Sequence, residues 1–215
     1  MSHVFLEMTM TVDGFTAAVG VSLEHPFGLD GERVHSWMRD SVFTGAPPGD
    51  DDRDGVIDDT GEDVDRDAVA QLYESTGAFV LGRRTLDVRE AVWGDEPVFQ
   101  GRPCFVVTSR PHESYVRGGS RYEFVTGGVA EAIARASAAA SAASVCVIGG
   151  ADVARQALAL GLVDEALLHI VPVLLGGGDR LFPDSAPNRV ELEPVSAVQG
   201  ARATHLRYRL PTVLG

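Results

Sequence analysis

Three short apolar segments of this chain end in glycine or a hydroxyl residue and pass at once into a helix or loop. They are LGRRT over residues 81–85, VTSR over 107–110 and VIGGAD over 147–152. Strands that discharge in this way belong to an open α/β sheet, where ligands gather off the carboxyl ends of the strands. Glycine at such an end lets backbone amides approach a phosphate, and the helix N-terminus that follows adds a favourable field. Gly82 and the pair Gly149 and Gly150 occupy those positions, while Arg83, Arg84, Ser109 and Arg110 offer guanidinium and hydroxyl donors beside them. Taken singly, each turn also has a structural reading: a helix-start glycine, a solvated arginine pair, a tight βα turn. The spacing is not G-x-G-x-x-G, which disfavours an ordinary Rossmann domain.

The order of elements narrows the fold. A buried strand over 3–11 leads to a turn at Asp13-Gly14, and a helix over 31–40 carries Val34, Trp37 and Met38 at helical spacing behind Asp30 as N-cap. A Gly-, Pro- and Asp-rich stretch over 41–61 precedes a short helix over 65–75, which Gly77 ends. Apolar strands over 78–81, within 102–108, over 122–125 and over 144–148 alternate with helices opening at Gly82, at Gly127-Gly128 (running to residue 143) and at 151–160. The last third is different: strands over 165–175, 190–198 and 203–210 follow one another without long helices. Alternation followed by a strand-rich tail predicts a mainly parallel sheet finished by antiparallel strands. No linker or internal repeat divides the sequence, so residues 1–215 are expected to form one domain with an acidic insertion at about 41–64.

Charge limits the chemistry. All 18 basic residues are arginine, so lysine-dependent Schiff bases, Walker-type phosphate lysines and amine nucleophiles are excluded. A net charge of −13 argues against nucleic acid or an anionic membrane as partner. Residues 50–67 hold ten acids against two arginines, so −8 of that −13 sits in one 18-residue segment. Within it, Asp50, Asp52 and Asp54 with Gly55 and Ile57 spell most of a calcium loop, but the twelfth position is Gly61, with Glu62 one place late. A solvated acidic loop is the default reading, and a calcium-responsive module the lesser alternative. Cys104 and Cys146 lack local partners and read as buried thiols in strands, and no metal site is expected. The opening MSHVFLEMTM has no basic n-region or cleavage site and no apolar run reaches ~18 residues, so the expected address is the cytoplasm.

The ordered set of motifs resembles the dihydrofolate reductase superfamily. Its nearest likeness is the reductase domain of the riboflavin-biosynthesis deaminase–reductase and its free-standing bacterial relatives. The matching segments are TVDGFTA over 11–17, VLGRRTLD over 80–87, VVTSR over 106–110, VTGGVAEAIARA over 125–136, VIGGADVARQAL over 147–158 and VDEALLHIVPVLLGGGDRLFPD over 163–184. The resemblance implies a dihydrofolate-reductase-like fold: a mostly parallel central sheet flanked by helices, with antiparallel C-terminal strands. It also implies NADPH as cofactor. On that reading Gly82, Arg83, Arg84 and Thr85 meet the phosphates, and Thr108, Ser109 and Arg110 grip the adenosine 2′-phosphate. Gly149, Gly150 and Ala151 face the pyrophosphate with Asp152 and Thr126 nearby, and Thr16 and Ala17 lie beside the nicotinamide. Family members commonly pair, and the apolar C-terminal strands fit a homodimer.

The proton source is the open position. Dihydrofolate reductases carry a carboxylate a few residues before an aromatic on the helix after the first loop. Counting back from Trp37 by that spacing reaches Arg33 or Val34, and the nearest acid is Glu32, which counts against folate reduction. Asp13 is the other carboxylate, either a substrate contact or the holder of an Asp-Gly turn. His35 lies near Glu32 as a proton donor or a partly buried structural residue, and His169 reads as core or interface. No deaminase signature (H-x-E with P-C-x-x-C) is present. The sequence therefore reads as an NADPH-dependent reductase of a C=N or C=O bond in a small pterin-like, pyrimidine or carbonyl substrate. The alternative is a non-catalytic nucleotide- or ligand-binding protein on the same fold.

Overall fold

Strand β1 (Val4–Thr11) sets the two sides of the molecule. Successive side chains of a strand point to opposite faces. Val4, Leu6 and Met8 enter one apolar layer, while Phe5 enters the other. Glu7, Thr9 and Thr11, buried polar residues, follow Phe5 on the same face. An apolar strand thus carries a polar row to its carboxyl end.

The structure is a computed structural model and describes residues 2–38, 62–182 and 190–211. After β1 come β2 (Phe15–Ala17), a 3-10 helix (Gly31–Met38), α1 (Glu62–Ser75), β3 (Thr76–Gly82) and α2 (Arg83–Trp93). Then follow β4 (Cys104–Val107), β5 (Tyr115–Arg117), β6 (Ser120–Val125), α3 (Val129–Ala139), β7 (Ser144–Val147) and α4 (Ala151–Ala159). The chain closes with β8 (Glu165–Val171), β9 (Asp179–Arg180), β10 (Glu193–Gln199) and β11 (Thr204–Arg209). Nine strands form one sheet in the order β10-β11-β8-β1-β7-β3-β4-β6-β5, and β2 pairs with β9 apart from it. Pairing is parallel from β8 through β6 and antiparallel at β11, β10 and β5. This is the mostly parallel sheet with antiparallel C-terminal strands that the element order predicts.

Helices α3 and α4 cover one face through Ile133, Ala136, Ala154 and Ala157. The other face packs Phe79, Phe99, Leu81 and Leu86 around Trp37 and Trp93. Phe79 and Phe99 are fully buried with ring centroids 4.7 Å apart; truncating either would cost about 3–5 kcal/mol. Cys104 and Cys146 are buried free thiols in β4 and β7. Among the described residues no helix is long and apolar enough to cross a membrane.

Several boundaries differ from the sequence expectation, each for a local reason. Asp30 has φ +57°, so it does not take the extended backbone of an N-cap. The segment after it is a 3-10 helix because Gly31, Val34 and Trp37, three apart, all turn inward. Gly77 lies in β3 and does not end α1; the hydroxyl of Thr76 bonds the carbonyl of Leu72 at 2.5 Å. Gly77 is needed because a Cβ there would meet the carbonyl oxygen of Ala140 at 2.7 Å. Helix α3 stops at Ala139, short of residue 143, with Ser141 at φ +57°. β8 stops at Val171 because Pro172 has no N–H to continue the ladder. The acidic stretch with its calcium-like Asp50, Asp52 and Asp54 lies outside the described residues.

Candidate active site

The backbone N–H of Gly82 donates to the carbonyl of Gly149 at 2.7 Å, and Ile148 donates to Val80 at 3.0 Å. These bonds bring together the carboxyl ends of β3 and β7. The Gly149–Gly150 peptide is cis, and Gly149 takes φ +134°. A Cβ on Gly150 would stand 2.8 Å from the hydroxyl oxygen of Thr85, so only glycine admits the α2 start this closely. Helix α2 begins at Arg83 directly after β3, and α4 at Ala151 and α3 at Val129 follow β7 and β6 after short turns, so these N-termini open at one end of the sheet.

Beside these glycines is a cavity of about 140 Å³. One wall is made of Thr16 and Ala17 from β2, Arg84 and Thr85 from α2, and Gly149 to Ala151. Thr16 donates its hydroxyl to the carbonyl of Asp179 at 3.0 Å, which ties β2 to β9 at the mouth. Arg84 is exposed and reaches Asp179 at 3.8 Å. A second wall carries Glu7, Thr9, His35 and Arg89. The cavity is therefore lined both by glycine backbone suited to an anion and by a buried carboxyl.

The second wall is polar but closely held. Arg89 of α2 places its guanidinium carbon 3.5 Å from the centre of the Phe27 ring, and its Nη2 stands 3.2 Å from Nε2 of His35. Burial lowers the Arg89 guanidinium to about 9. Burial, then the Arg89 charge, then His169 hold the His35 imidazole well below its ordinary value. His35 is thus neutral near pH 7; Nε2 accepts from Arg89 and Nδ1 carries the proton, buried and without a hydrogen-bond partner among the described residues. A histidine in that state does not release a proton readily. The thiol of Cys146, pushed up by burial and then by Glu7, stays protonated and donates to Oε2 of Glu7 at 4.0 Å.

The residues expected from sequence divide into three groups. Thr16, Ala17, Arg84, Thr85, Gly149, Gly150 and Ala151 line the cavity, and Gly82 touches it through Gly149. Thr108, Ser109, Arg110 and Thr126 lie outside it, at the carboxyl ends of β4 and β6, next in the sheet order. Thr108 closes its own turn, accepting the Arg110 N–H at 3.1 Å, and leaves Ser109 and the Arg110 side chain exposed. Arg83 pairs with Asp87 at 2.5 Å and packs over Phe124, while Asp152, exposed, accepts from Gln156 at 2.7 Å.

The two expected catalytic acids do not line the cavity. Asp13 accepts the Thr11 hydroxyl at 2.5 Å and the N–H groups of Leu175 and Gly176 at 3.1 and 2.8 Å. The Thr11 hydroxyl and these amides hold its carboxyl below the usual range, as befits a residue that clasps two loops. Glu32 is exposed on the 3-10 helix. Two carboxyls line the cavity, Asp179 exposed at the mouth and Glu7 buried, and the sequence expectation did not include Glu7. The signal was an acid in the midst of VFLEMTMT, in phase with Thr9 and Thr11.

The comparisons fit this geometry. Residues 2–206 match the family model described as the RibD C-terminal domain. Among solved structures, a protein of Shewanella sp. PV-4 named for riboflavin biosynthesis is 21% identical, with TM-score 0.66 and 98% of this chain and 99% of that one covered. The diaminohydroxyphosphoribosylaminopyrimidine deaminase/5-amino-6-(5-phosphoribosylamino)uracil reductase of Thermotoga maritima is 14% identical, with TM-score 0.58, 98% of this chain and 57% of that one. Dihydrofolate reductase of Enterococcus faecalis, solved with NADP(H), is 17% identical, with TM-score 0.52, 97% and 96% covered. At these identities the solved structures speak for the fold, which is dihydrofolate-reductase-like, and the family model speaks for membership. A sheet in this order, closed at its carboxyl end by paired glycine turns and matched over residues 2–206, makes the chain a member of the RibD C-terminal domain family.

Proposed function

We propose that the protein is an NADPH-dependent reductase of a C=N or C=O bond in a small pterin-like, pyrimidine or carbonyl substrate. The observation that carries this reading is that Gly149, Gly150 and Glu7 line one cavity, with Gly82 bonded to Gly149 beside it. The strand ends that follow Gly149 and Gly82 in the sheet order, at Thr108 and Thr126, extend the same row. Three inter-strand steps span about 14 Å, a length suited to a dinucleotide lying across strand ends. The relatives' names, a uracil reductase and a dihydrofolate reductase solved with NADP(H), agree with that class of reaction.

The residues present fit the cofactor. Gly150 and Thr85 are so close that any side chain would close the cradle. The α2 and α4 N-termini direct backbone amides towards a pyrophosphate, and Arg84 adds charge at the mouth. Ser109 and Arg110, exposed at the far end of the row, supply the donors that a 2′-phosphate needs. Thr16 and Ala17 bound the nicotinamide end. Bound there, NADPH supplies a hydride to the substrate carbon. The chain's own part is to orient both reactants, exclude water with Met8, Trp93 and Phe99, and present a proton. Asp13 serves by fixing the loop of Leu175 and Gly176.

Absorbance at 340 nm tests the reading, with NADPH and a panel of 5-amino-6-(5-phosphoribosylamino)uracil, dihydrofolate, flavins and small carbonyls. Oxidation with at least one class is expected. Saturable NADPH binding with no oxidation across the panel would favour a ligand-binding protein instead.

A further inference from the structure

Four side chains from four elements form a continuous buried line. Both carboxyl oxygens of Asp65 in α1 accept: Oδ2 from the N–H of Arg202 at 2.9 Å, Oδ1 from Nε2 of His205 at 2.8 Å. His205 of β11 and His169 of β8 are register partners, with their Nδ1 atoms 2.6 Å apart. Nε2 of His169 then lies 3.4 Å from Oε1 of Glu7. The side chains of Glu7, His169, His205 and Asp65 are 6%, 3%, 11% and 6% exposed, and His169 and His205 also border a second cavity of about 210 Å³.

With both imidazoles neutral, the hydrogen bonds fix where the protons are. A neutral imidazole carries one proton and each hydrogen bond needs one. His205 spends its proton on Asp65, so its Nδ1 is a lone pair and must accept from Nδ1–H of His169. That leaves Nε2 of His169 as a lone pair facing a carboxyl. Among the described residues this nitrogen is buried with no hydrogen-bond partner. Two buried acceptors face to face are costly unless a proton lies between them. The Trp37 indole stacks on His169 with ring centroids 4.2 Å apart, a face that favours a positively charged imidazole. The other titratable and charged groups around the pair are Cys146, Tyr73, the His35–Arg89 couple, Asp67 of α1 in the second cavity and, further along β11, Arg207 paired with Glu165.

We propose that Glu7 and His169 hold one shared proton at the wall of the cavity and that Glu7 delivers it to the substrate. His205 and Asp65 are positioning residues that fix the tautomer of His169. The proposal rests on the reductase reading for its substrate, but the shared proton stands on the geometry alone. In the step itself, hydride from the nicotinamide forms the new C–H bond and the π pair of C=N or C=O moves to the heteroatom. That atom takes the proton from Oε1 of Glu7, leaving a carboxylate and an oxidised nicotinamide. A proton from solvent then restores the Glu7–His169 pair for the next turnover.

Nitrogen-15 histidine NMR on the full chain tests this, comparing wild type with Glu7→Gln. In wild type near pH 7, His205 is expected as the Nε2–H tautomer and His169 with Nδ1–H plus a partly protonated Nε2. In Glu7→Gln, His169 is expected with Nδ1–H and an unprotonated Nε2 under the same conditions. Wild-type His169 as a neutral Nε2–H tautomer, or identical His169 spectra in the two proteins, would overturn the proposal. Asp65→Ala provides a second, independent arm: with the tautomer released, His169 should show both neutral forms, and an unchanged spectrum would contradict the chain. NADPH titration followed by nicotinamide fluorescence keeps the two layers apart. Equal binding by wild type and Glu7→Gln is expected; absence of binding in both would remove the cofactor reading and leave the proton assignment standing.

Discussion

Gly82 and Gly149 are joined by a 2.7 Å backbone hydrogen bond between strand ends that adjoin in the sheet but lie 67 positions apart in sequence. That bond places the starts of α2 and α4 side by side and forms one wall of the cavity. The position of Gly150 behind it explains why a substitution as small as alanine matters.

Gly150→Ala adds a methyl 2.8 Å from the Thr85 hydroxyl. Overpacking of this kind costs about 1–3 kcal/mol. Thermal melts should show a fall of several degrees, and NADPH titration should show weakened binding. Thr85→Ser keeps that hydroxyl, so it should not rescue the variant, whereas Thr85→Ala should recover part of the loss.

Arg110→Ala removes an exposed guanidinium that makes no side-chain hydrogen bond or ion pair among the described residues. Melting temperature should not change. NADPH affinity should fall by about tenfold or more while NADH affinity stays level, since only the 2′-phosphate calls on that charge. Parallel losses for both nucleotides would place Arg110 elsewhere.

Glu7→Gln keeps the shape of the cavity wall and removes its acid. With a turned-over substrate, kcat should fall by roughly 10²- to 10⁴-fold, the range of a positioned general acid, with NADPH KM nearly unchanged. Stopped-flow absorbance at 340 nm reads this directly. Asp13→Asn should act differently, lowering the melting temperature through the Leu175 and Gly176 amides more than it lowers kcat.

Stability should depend on His35 in acid. Its imidazole is held well below the ordinary value of 6.5 by burial first, then by Arg89 and His169. Because the folded state binds this proton less readily than the unfolded chain, stability is intact above about pH 6.5 and is lost as pH falls below it. Melting temperature should drop between about pH 7 and 5 in wild type and less steeply in His35→Gln. Superimposable pH curves would show that another group carries the effect.

The glycine turns were legible because backbone approach demands glycine whatever surrounds it, as at Gly82 and Gly150. The sheet class was legible because alternation and the strand-rich tail are local patterns. The acid was not. Glu7 sits inside a run that reads as a buried strand, and its partners arrive through register: His169 and His205 lie 36 positions apart and meet only when β11 pairs with β8. Asp13 and Glu32 are acids near a turn and a helix, yet Asp13 is consumed by loop amides and Glu32 faces solvent. β2 and β9, three and two residues long, are too short to leave a periodic signal, although they bring Thr16 to Asp179.

The central claim is that the carboxyl end of this sheet holds NADPH. Titration of NADPH into the full chain, followed by nicotinamide fluorescence, tests it most directly. The account predicts saturable one-site binding that weakens in both Gly150→Ala and Arg110→Ala. No saturable binding, or binding that neither substitution alters, would contradict it.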